Sequence, residues 1–239
     1  MSRTVAFFRP DDERASDART VLHELGVEPL SDPMLAVRPT GKTPRAEAEY
    51  TILTSKTGAE IVSESAFEPH GKLVAIGAPT ATALERVGYT VDRIPSEFTS
   101  AGLVAELAED VPGTRVEVAR SDHGSSVLTD GLNEAGAYVH ETILYRLVRP
   151  ESAGRSTVAA AEGELAGACF TSSLTVEHFL AAAEDRGVKD EAVAGLNEAV
   201  VGAIGAPTEA TAEAYGIDVD VVPKNAEFEA LARAVVDQL

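Results

Sequence analysis

The chain has 239 residues, 44% of them hydrophobic but only 5% aromatic, with no Trp, so any core is built mainly from Val, Leu, Ile and Ala. Its 39 acidic residues against 20 basic ones give a formal net charge of −19. That excludes the basic patch a nucleic-acid partner needs to displace phosphate counterions, and the single cysteine, Cys169, excludes an internal disulfide.

In chain order, apolar runs alternate with helix-period segments. Residues 4–8 predict a buried strand that ends at Arg9-Pro10, and Asp11 or Asp12 is placed to cap the helix that follows. Ala15, Ala18, Leu22 and Leu25 mark that helix, and Gly26 stops it. Strands follow at 27–30 and 50–53, the latter running into Thr54-Ser55-Lys56-Thr57-Gly58 and a short helix to about Ser65. Next come a strand at 73–76, a helix opened by Gly77-Ala78-Pro79-Thr80, a strand at 90–94 and a helix capped by Ser100. A strand at 115–119 leads to Arg120-Ser121, a helix to Gly136, and a long alternating strand over 138–147. The last third holds a short helix within 151–165, a strand ending in Thr171-Ser172-Ser173, a helix through Phe179, strands at 200–204 and 219–222, and an amphipathic helix from Phe228. Strand–helix alternation throughout predicts parallel sheets with helices on both faces.

One stretch occurs twice: Ile76-Gly-Ala-Pro-Thr80 recurs as Ile204-Gly-Ala-Pro-Thr208, 128 residues later. The register then holds, with Gly88, Val91, Asp92 and Pro95 matched by Gly216, Val219, Asp220 and Pro223. Leu53-Thr-Ser55 matches Phe170-Thr-Ser172 at a spacing of 117, so the second copy carries an 11-residue insertion between its two motifs. A third match runs backwards: Val5–Arg9 pairs with Val116–Arg120, and Arg38-Pro39 with Arg149-Pro150. The last strand–helix–strand unit of the middle block is therefore copied at the start of the chain. This predicts two similar flavodoxin-like parallel-sheet α/β domains, one discontinuous (1–36 plus 150–239) and one inserted (37–149). Two extended crossings at about 34–39 and 146–150 are expected to pair as a two-strand hinge beside a cleft at the carboxyl ends of the strands.

The recurring chemistry is a small hydroxyl residue where a strand gives way to a helix: Thr54 and Ser55, Thr80, Ser121, Ser172 and Ser173, and Thr208. Each can serve as an ordinary N-cap; together, at matching ends of two sheets, they also point to binding of a polyanion by helix N-termini. Arg9, Lys56 and Arg120 follow strands directly and are the candidate cations, with surface ion pairs as the alternative role. Tyr145 on the second crossing is either a strand aromatic or a proton donor facing the cleft. Gly41-Lys42-Thr43 lacks the first glycine of a P-loop and is followed by Pro44, no G-x-G-x-x-G or G-x-S-x-G occurs, and the five His residues show no metal-ligand spacing. No run is long and apolar enough for a membrane span, so a soluble cytoplasmic protein is expected, its acidic surface suited to a salt-rich cytoplasm.

These motifs in this order resemble the uroporphyrinogen-III synthase family over essentially the whole chain. The matching pieces are Phe8-Arg9-Pro10, Leu53-Thr54-Ser55, Ile76-Gly77 with Thr80-Ala81, Tyr145, Phe170-Thr171-Ser172, and Ile204-Gly205 with Thr208; the acidic balance makes it a haloarchaeal-like member. The resemblance implies closure of hydroxymethylbilane, a linear tetrapyrrole with eight carboxylates, to a macrocycle with its last ring inverted. It implies no cofactor and no metal, and a small-molecule polycarboxylate tetrapyrrole as the substrate; no nucleic-acid or membrane partner and a monomer are expected besides. Tyr145 matches the family tyrosine that assists departure of the hydroxyl. Arg9, Thr54, Ser55, Lys56, Thr80, Arg120, Ser172, Ser173 and Thr208 are the expected substrate-binding set. The second copy departs from the first in having Glu209 where Ala81 stands, and Ser173 where Lys56 stands. A non-catalytic two-domain binding or regulatory protein on the same scaffold is the alternative.

Overall fold

A computed structural model describes residues 3–239. In chain order the elements are β1 (Thr4–Phe7), α1 (Glu13–Glu24), β2 (Glu28–Ser31), β3 (Ala36–Pro39), β4 (Tyr50–Leu53), α2 (Lys56–Ser63), β5 (Lys72–Ala75), α3 (Ala78–Arg86), α4 (Ser100–Leu107), β6 (Arg115–Ser121), α5 (Ser126–Glu134), β7 (Tyr138–Val148), α6 (Arg155–Ala161), β8 (Leu165–Phe170), α7 (Ser173–Asp185), α8 (Lys189–Asn197), β9 (Val200–Ala203), α9 (Ala206–Ala214) and α10 (Phe228–Val236). None of the described helices is long and apolar enough to cross a membrane.

Two compact units result. The described residues up to Ala36 join Val148–Leu239 in the first unit, and Val37–Leu147 form the second. The first carries a sheet in the order β2-β1-β8-β9, the second a sheet in the order β3-β7-β6-β4-β5. Every strand pair of known register is parallel, apart from the placement of β3, which lies beside β7 and continues into Thr40, whose N–H donates to the Leu144 carbonyl at 2.9 Å.

The two sheets have one design. Reading β6 and β7 as the counterparts of β1 and β2, and β4 and β5 as those of β8 and β9, turns one strand order into the other. The order within each unit is that of a doubly wound flavodoxin-like sheet. The correspondence extends to single atoms. Asp92 Oδ2 accepts from the Leu73 N–H at 2.7 Å, and Asp220 Oδ2 accepts from the Val201 N–H at 2.7 Å. Both aspartates thus cap the sheet edge where a further strand would pair. For that reason the strands expected at 90–94 and 219–222 are reduced to single bridges, Val74 to Arg93 and Gly202 to Val221. A side-chain carboxylate has taken an amide of the ladder, and Pro95 and Pro223 stop each segment from continuing.

Side-chain alternation divides each sheet between two cores. In the first unit Val5 and Phe7 face Leu22, Phe228, Leu231 and Val235, while Ala6 and Phe8 face the side of α6 to α9. There the Phe8 ring stacks on Phe170 at 4.5 Å between centroids, and both meet Phe179 edge-on at 5.7 and 5.8 Å. In the second unit Ile52, Val116 and Val118 pack on Leu103, Leu107, Leu128 and Leu132, and Leu53, Leu73 and Ala75 pack on Ala59, Val62 and Leu84.

Local signals explain the ends. Gly26, Gly88, Gly136 and Gly216 all take φ between 78° and 95°, the left-handed turn that ends a helix without a Cβ clash. Asp12 caps α1 through the Arg14 N–H at 2.9 Å. The cap of α4 is Thr99 rather than Ser100, its hydroxyl accepting from Gly102 N–H at 3.0 Å. The 11-residue insertion of the first unit is the site of α8, which periodicity alone did not mark. Gly195 lets α8 lie against α6: a Cβ there would sit 1.8 Å from the Ala160 carbonyl oxygen.

Candidate active site

The carboxyl ends of the strands gather the expected site residues into one cluster per unit. In the second unit Thr54, Ser55 and Lys56 leave β4 and open α2. The Ser55 hydroxyl oxygen accepts the Gly58 N–H at 2.9 Å, a capping bond, and also accepts the Tyr145 hydroxyl at 3.0 Å. Tyr145 lies opposite Ser121 across the β6–β7 pair, just past a register shift at Arg120/Ser121. Its ring belongs to the core beside Leu53 and Leu144 and is only 6% exposed. The sequence motif Leu-Thr-Ser and the distant tyrosine are therefore one hydrogen-bonded unit. Thr54 is half-buried at the end of β4, and Lys56, the first residue of α2, is exposed.

Arg120 differs from its expected role as a free cation. It is buried, its Nε pairs with the Glu141 carboxylate, and Nη1 donates to the Ser125 carbonyl. It also lies against Gly124, where a Cβ would come within 2.4 Å of its Cδ. Its charge is neutralised within the unit, and its work is to hold the loop that follows β6.

In the first unit Arg9 follows β1. Its guanidinium lies 4.8 Å from the centre of the Phe228 ring, and its Nε is buried without a partner. Burial, and then the nearby Arg14, lower its pKa from the ordinary arginine value. Ser172 caps α7, exchanging bonds with Thr175 in a reciprocal capping box. Ser173 donates its hydroxyl to the Pro207 carbonyl at 2.9 Å and accepts from Thr211 at 2.8 Å. Ser173 therefore ties the start of α7 to the start of α9.

The duplicated Gly-Ala-Pro-Thr turns open α3 and α9 in the same way, with Gly77 and Gly205 as extended N-caps and a proline in the first turn. Thr80 and Thr208 are buried, and their N–H groups are taken by the Gly77 and Gly205 carbonyls at 3.1 and 3.0 Å. Both threonines, expected as substrate-binding hydroxyls, are thus turned into the fold rather than to the surface. Pro79 and Pro207 have no N–H, which leaves the exposed Ala78 and Ala206 amides as the groups each turn presents. Their side chains carry no signal, so only the turn geometry could have marked them. Glu209 sits in the first turn of α9, where α3 has no acid. It favours the positive end of its helix and opposes a second anion there.

Two doubly wound sheets, each ending in serine-capped helix N-termini with few side-chain charges, present the kind of backbone-donor edge that suits an anion. The profile of the family described as "Uroporphyrinogen-III synthase HemD" matches residues 16–233, and the chain belongs to the uroporphyrinogen-III synthase family. A Chlorobaculum parvum uroporphyrinogen-III synthase is 25% identical over 168 residues, spanning 69% of this chain and 65% of that one. A Methanothermobacter thermautotrophicus protein bearing the same family name is 28% identical over 230 residues, 89% of this chain and 90% of that one. The crystal structure of a mutant Thermus thermophilus uroporphyrinogen III synthase shares the fold with a TM-score of 0.66 at 19% identity, over 98% of this chain and 97% of that one. That of the Helicobacter pylori enzyme gives a TM-score of 0.66 at 15% identity, over 99% and 100%. Family, relatives and fold together indicate uroporphyrinogen-III synthase activity in tetrapyrrole biosynthesis.

Proposed function

We propose that the chain acts in the cytoplasm as a monomer, converting hydroxymethylbilane to uroporphyrinogen III with inversion of the last pyrrole ring. The substrate's carboxylates engage the N-terminal amides of α2 and α3 in the second unit, with Lys56 as the cation beside them. The C–O bond to the terminal hydroxyl breaks, and the oxygen leaves as water after taking a proton from the Tyr145 hydroxyl. The resulting carbocation-like centre is attacked by the last ring, and the proton lost on rearomatisation restores the donor. Most of the catalytic advantage lies in folding a flexible chain so that the correct ring carbon is attacked, a positioning effect.

The observation that carries this reading is the Tyr145–Ser55 bond at the mouth of α2. It places an O–H donor beside a helix N-terminus in a chain whose family is shown. The test is a coupled assay on freshly made hydroxymethylbilane with separation of the product isomers. Type III product is expected; type I alone, the product of unassisted closure, refutes the proposal.

A further inference from the structure

At the opposite end of the second unit's sheet lies a cavity of about 880 Å³, at the amino ends of β6 and β7 and beside the segment that leads into β4. Its residues all fall between 45 and 140, within the second unit. The volume is in the range of small-molecule sites. The synthase reading makes no use of this end of the sheet.

The cavity contains an oriented imidazole. Glu117 and His140 are paired across β6 and β7, and His140 Nδ1 lies 2.7 Å from Glu117 Oε2. Glu117 is 0% exposed, and its other oxygen, Oε1, is buried with no partner. The His140 side chain is 38% exposed and lines the cavity. In the neutral ring with its proton on Nδ1, facing the carboxylate, Nε2 is left as a hydrogen-bond acceptor. A buried carboxylate with one orphaned oxygen is costly to keep without a compensating donor or cation.

The surrounding charges decide which ligand fits. Arg115 is occupied by Glu49 through two guanidinium contacts at 3.1 and 3.2 Å. That leaves Glu117 and the exposed Glu47 against Arg45, in a chain of net charge −19. Tyr138, 69% exposed, offers its ring at the same rim, while Val116 and Ala137 supply an apolar wall. A hydrogen-bond acceptor, a carboxylate and an exposed aromatic face are the components of an amine site.

We propose that this cavity binds a small organic cation, a primary amine on an apolar body. Its ammonium donates to His140 Nε2 and to Glu47, with the Tyr138 ring over the charge. The bond chain from ligand through His140 to Glu117 stabilises the buried carboxylate by polarisation and by the added positive charge.

The probe is benzylamine, followed by NMR of the imidazole resonances of the full chain, with the His140 signal assigned from the His140→Gln variant. Benzylamine is expected to shift the His140 signal saturably, and benzoate to leave it unmoved. Glu47→Gln and Tyr138→Ala, both exposed positions, are each expected to weaken benzylamine binding about fivefold with an unchanged amide spectrum. No saturable shift at His140 overturns the proposal. So does binding by both variants as tight as that of the unsubstituted chain, which places the probe elsewhere, or tighter binding of benzoate, which makes the cavity an anion site.

Discussion

The Tyr145–Ser55 contact makes a prediction in which the order of the effects matters more than their size. Ser55 accepts two hydrogen bonds, the Gly58 amide at 2.9 Å and the Tyr145 hydroxyl at 3.0 Å. Tyr145→Phe removes donor and bond together and leaves no buried donor stranded, so the cost is that of one net hydrogen bond, about 1 kcal/mol. Ser55→Ala removes the cap of α2, about 1 kcal/mol. It also strands the hydroxyl of a tyrosine 6% exposed, which adds about 1–3 kcal/mol. The double variant loses the cap and the bond but strands nothing. It is expected to be no less stable than Ser55→Ala alone, so the double-mutant cycle shows a coupling of about 1–3 kcal/mol. The chain has no Trp, so urea unfolding is followed by far-ultraviolet circular dichroism. Turnover reads the other half of the claim. A positioned acid contributes roughly 10²–10⁴-fold, and Tyr145→Phe should lose a substantial part of that at nearly native stability. Additive stabilities would refute the bond, and unchanged turnover in Tyr145→Phe would remove the tyrosine from the chemistry.

Two further predictions follow from other contacts. Gly195→Ala should destabilise by about 1–3 kcal/mol although alanine is the better helix former by about 1 kcal/mol, because its Cβ must displace the Ala160 carbonyl 1.8 Å away; a more stable variant would show that α6 and α8 are not so closely packed. The Glu49 carboxyl is held down to about 2, chiefly by hydrogen bonds from the Arg115 side chain and then its backbone N–H. A lowered folded-state value means stabilisation present above the ordinary carboxylate range and lost as pH falls from there through about 2, so carboxyl-carbon NMR of Arg115→Gln should find Glu49 titrating closer to the ordinary carboxylate value than it does in the unsubstituted chain. Identical titration in both proteins would refute the assignment.

The duplication was legible because it is written in residues with backbone consequences. Gly88 and Gly216 take φ of 95° and 78°, which few other residues tolerate, and Asp92 and Asp220 each receive an edge amide at 2.7 Å. Such positions preserve their identity when apolar neighbours are exchanged freely. The fold class followed from the same spacing, and so did the junctions where strands give way to helices. Helix α8 was not legible, because its apolar positions, Ala192, Val193 and Leu196, are too few to set a period apart from the residues around it. Nor were the partners of Arg120 legible. A basic residue after a strand looks the same whether it meets a ligand or Glu141, and only the register of β6 on β7 brings that acid alongside.

That distinction reshapes the reading of the duplicated turns. Letter-for-letter identity of Gly-Ala-Pro-Thr suggested that the threonine hydroxyls were the shared chemistry. In both copies they are buried, and the proline has removed one amide of the first turn. What the repeat preserves is a way of starting a helix with an extended glycine cap, an exposed alanine and a proline that donates nothing, beside the positive end of the dipole. A backbone donor is insensitive to side-chain substitution, so the binding edge can persist while its residues diverge. The two edges are then distinguished by what was added to them: Lys56 on one, Glu209 and the Ser173–Thr211 tie on the other. A cation beside free amides strengthens an anion site, whereas an acid in the first turn already satisfies its helix. On the proposed function, the edge formed by α2 and α3 is therefore expected to bind carboxylates more tightly, and it is also the one that carries Tyr145.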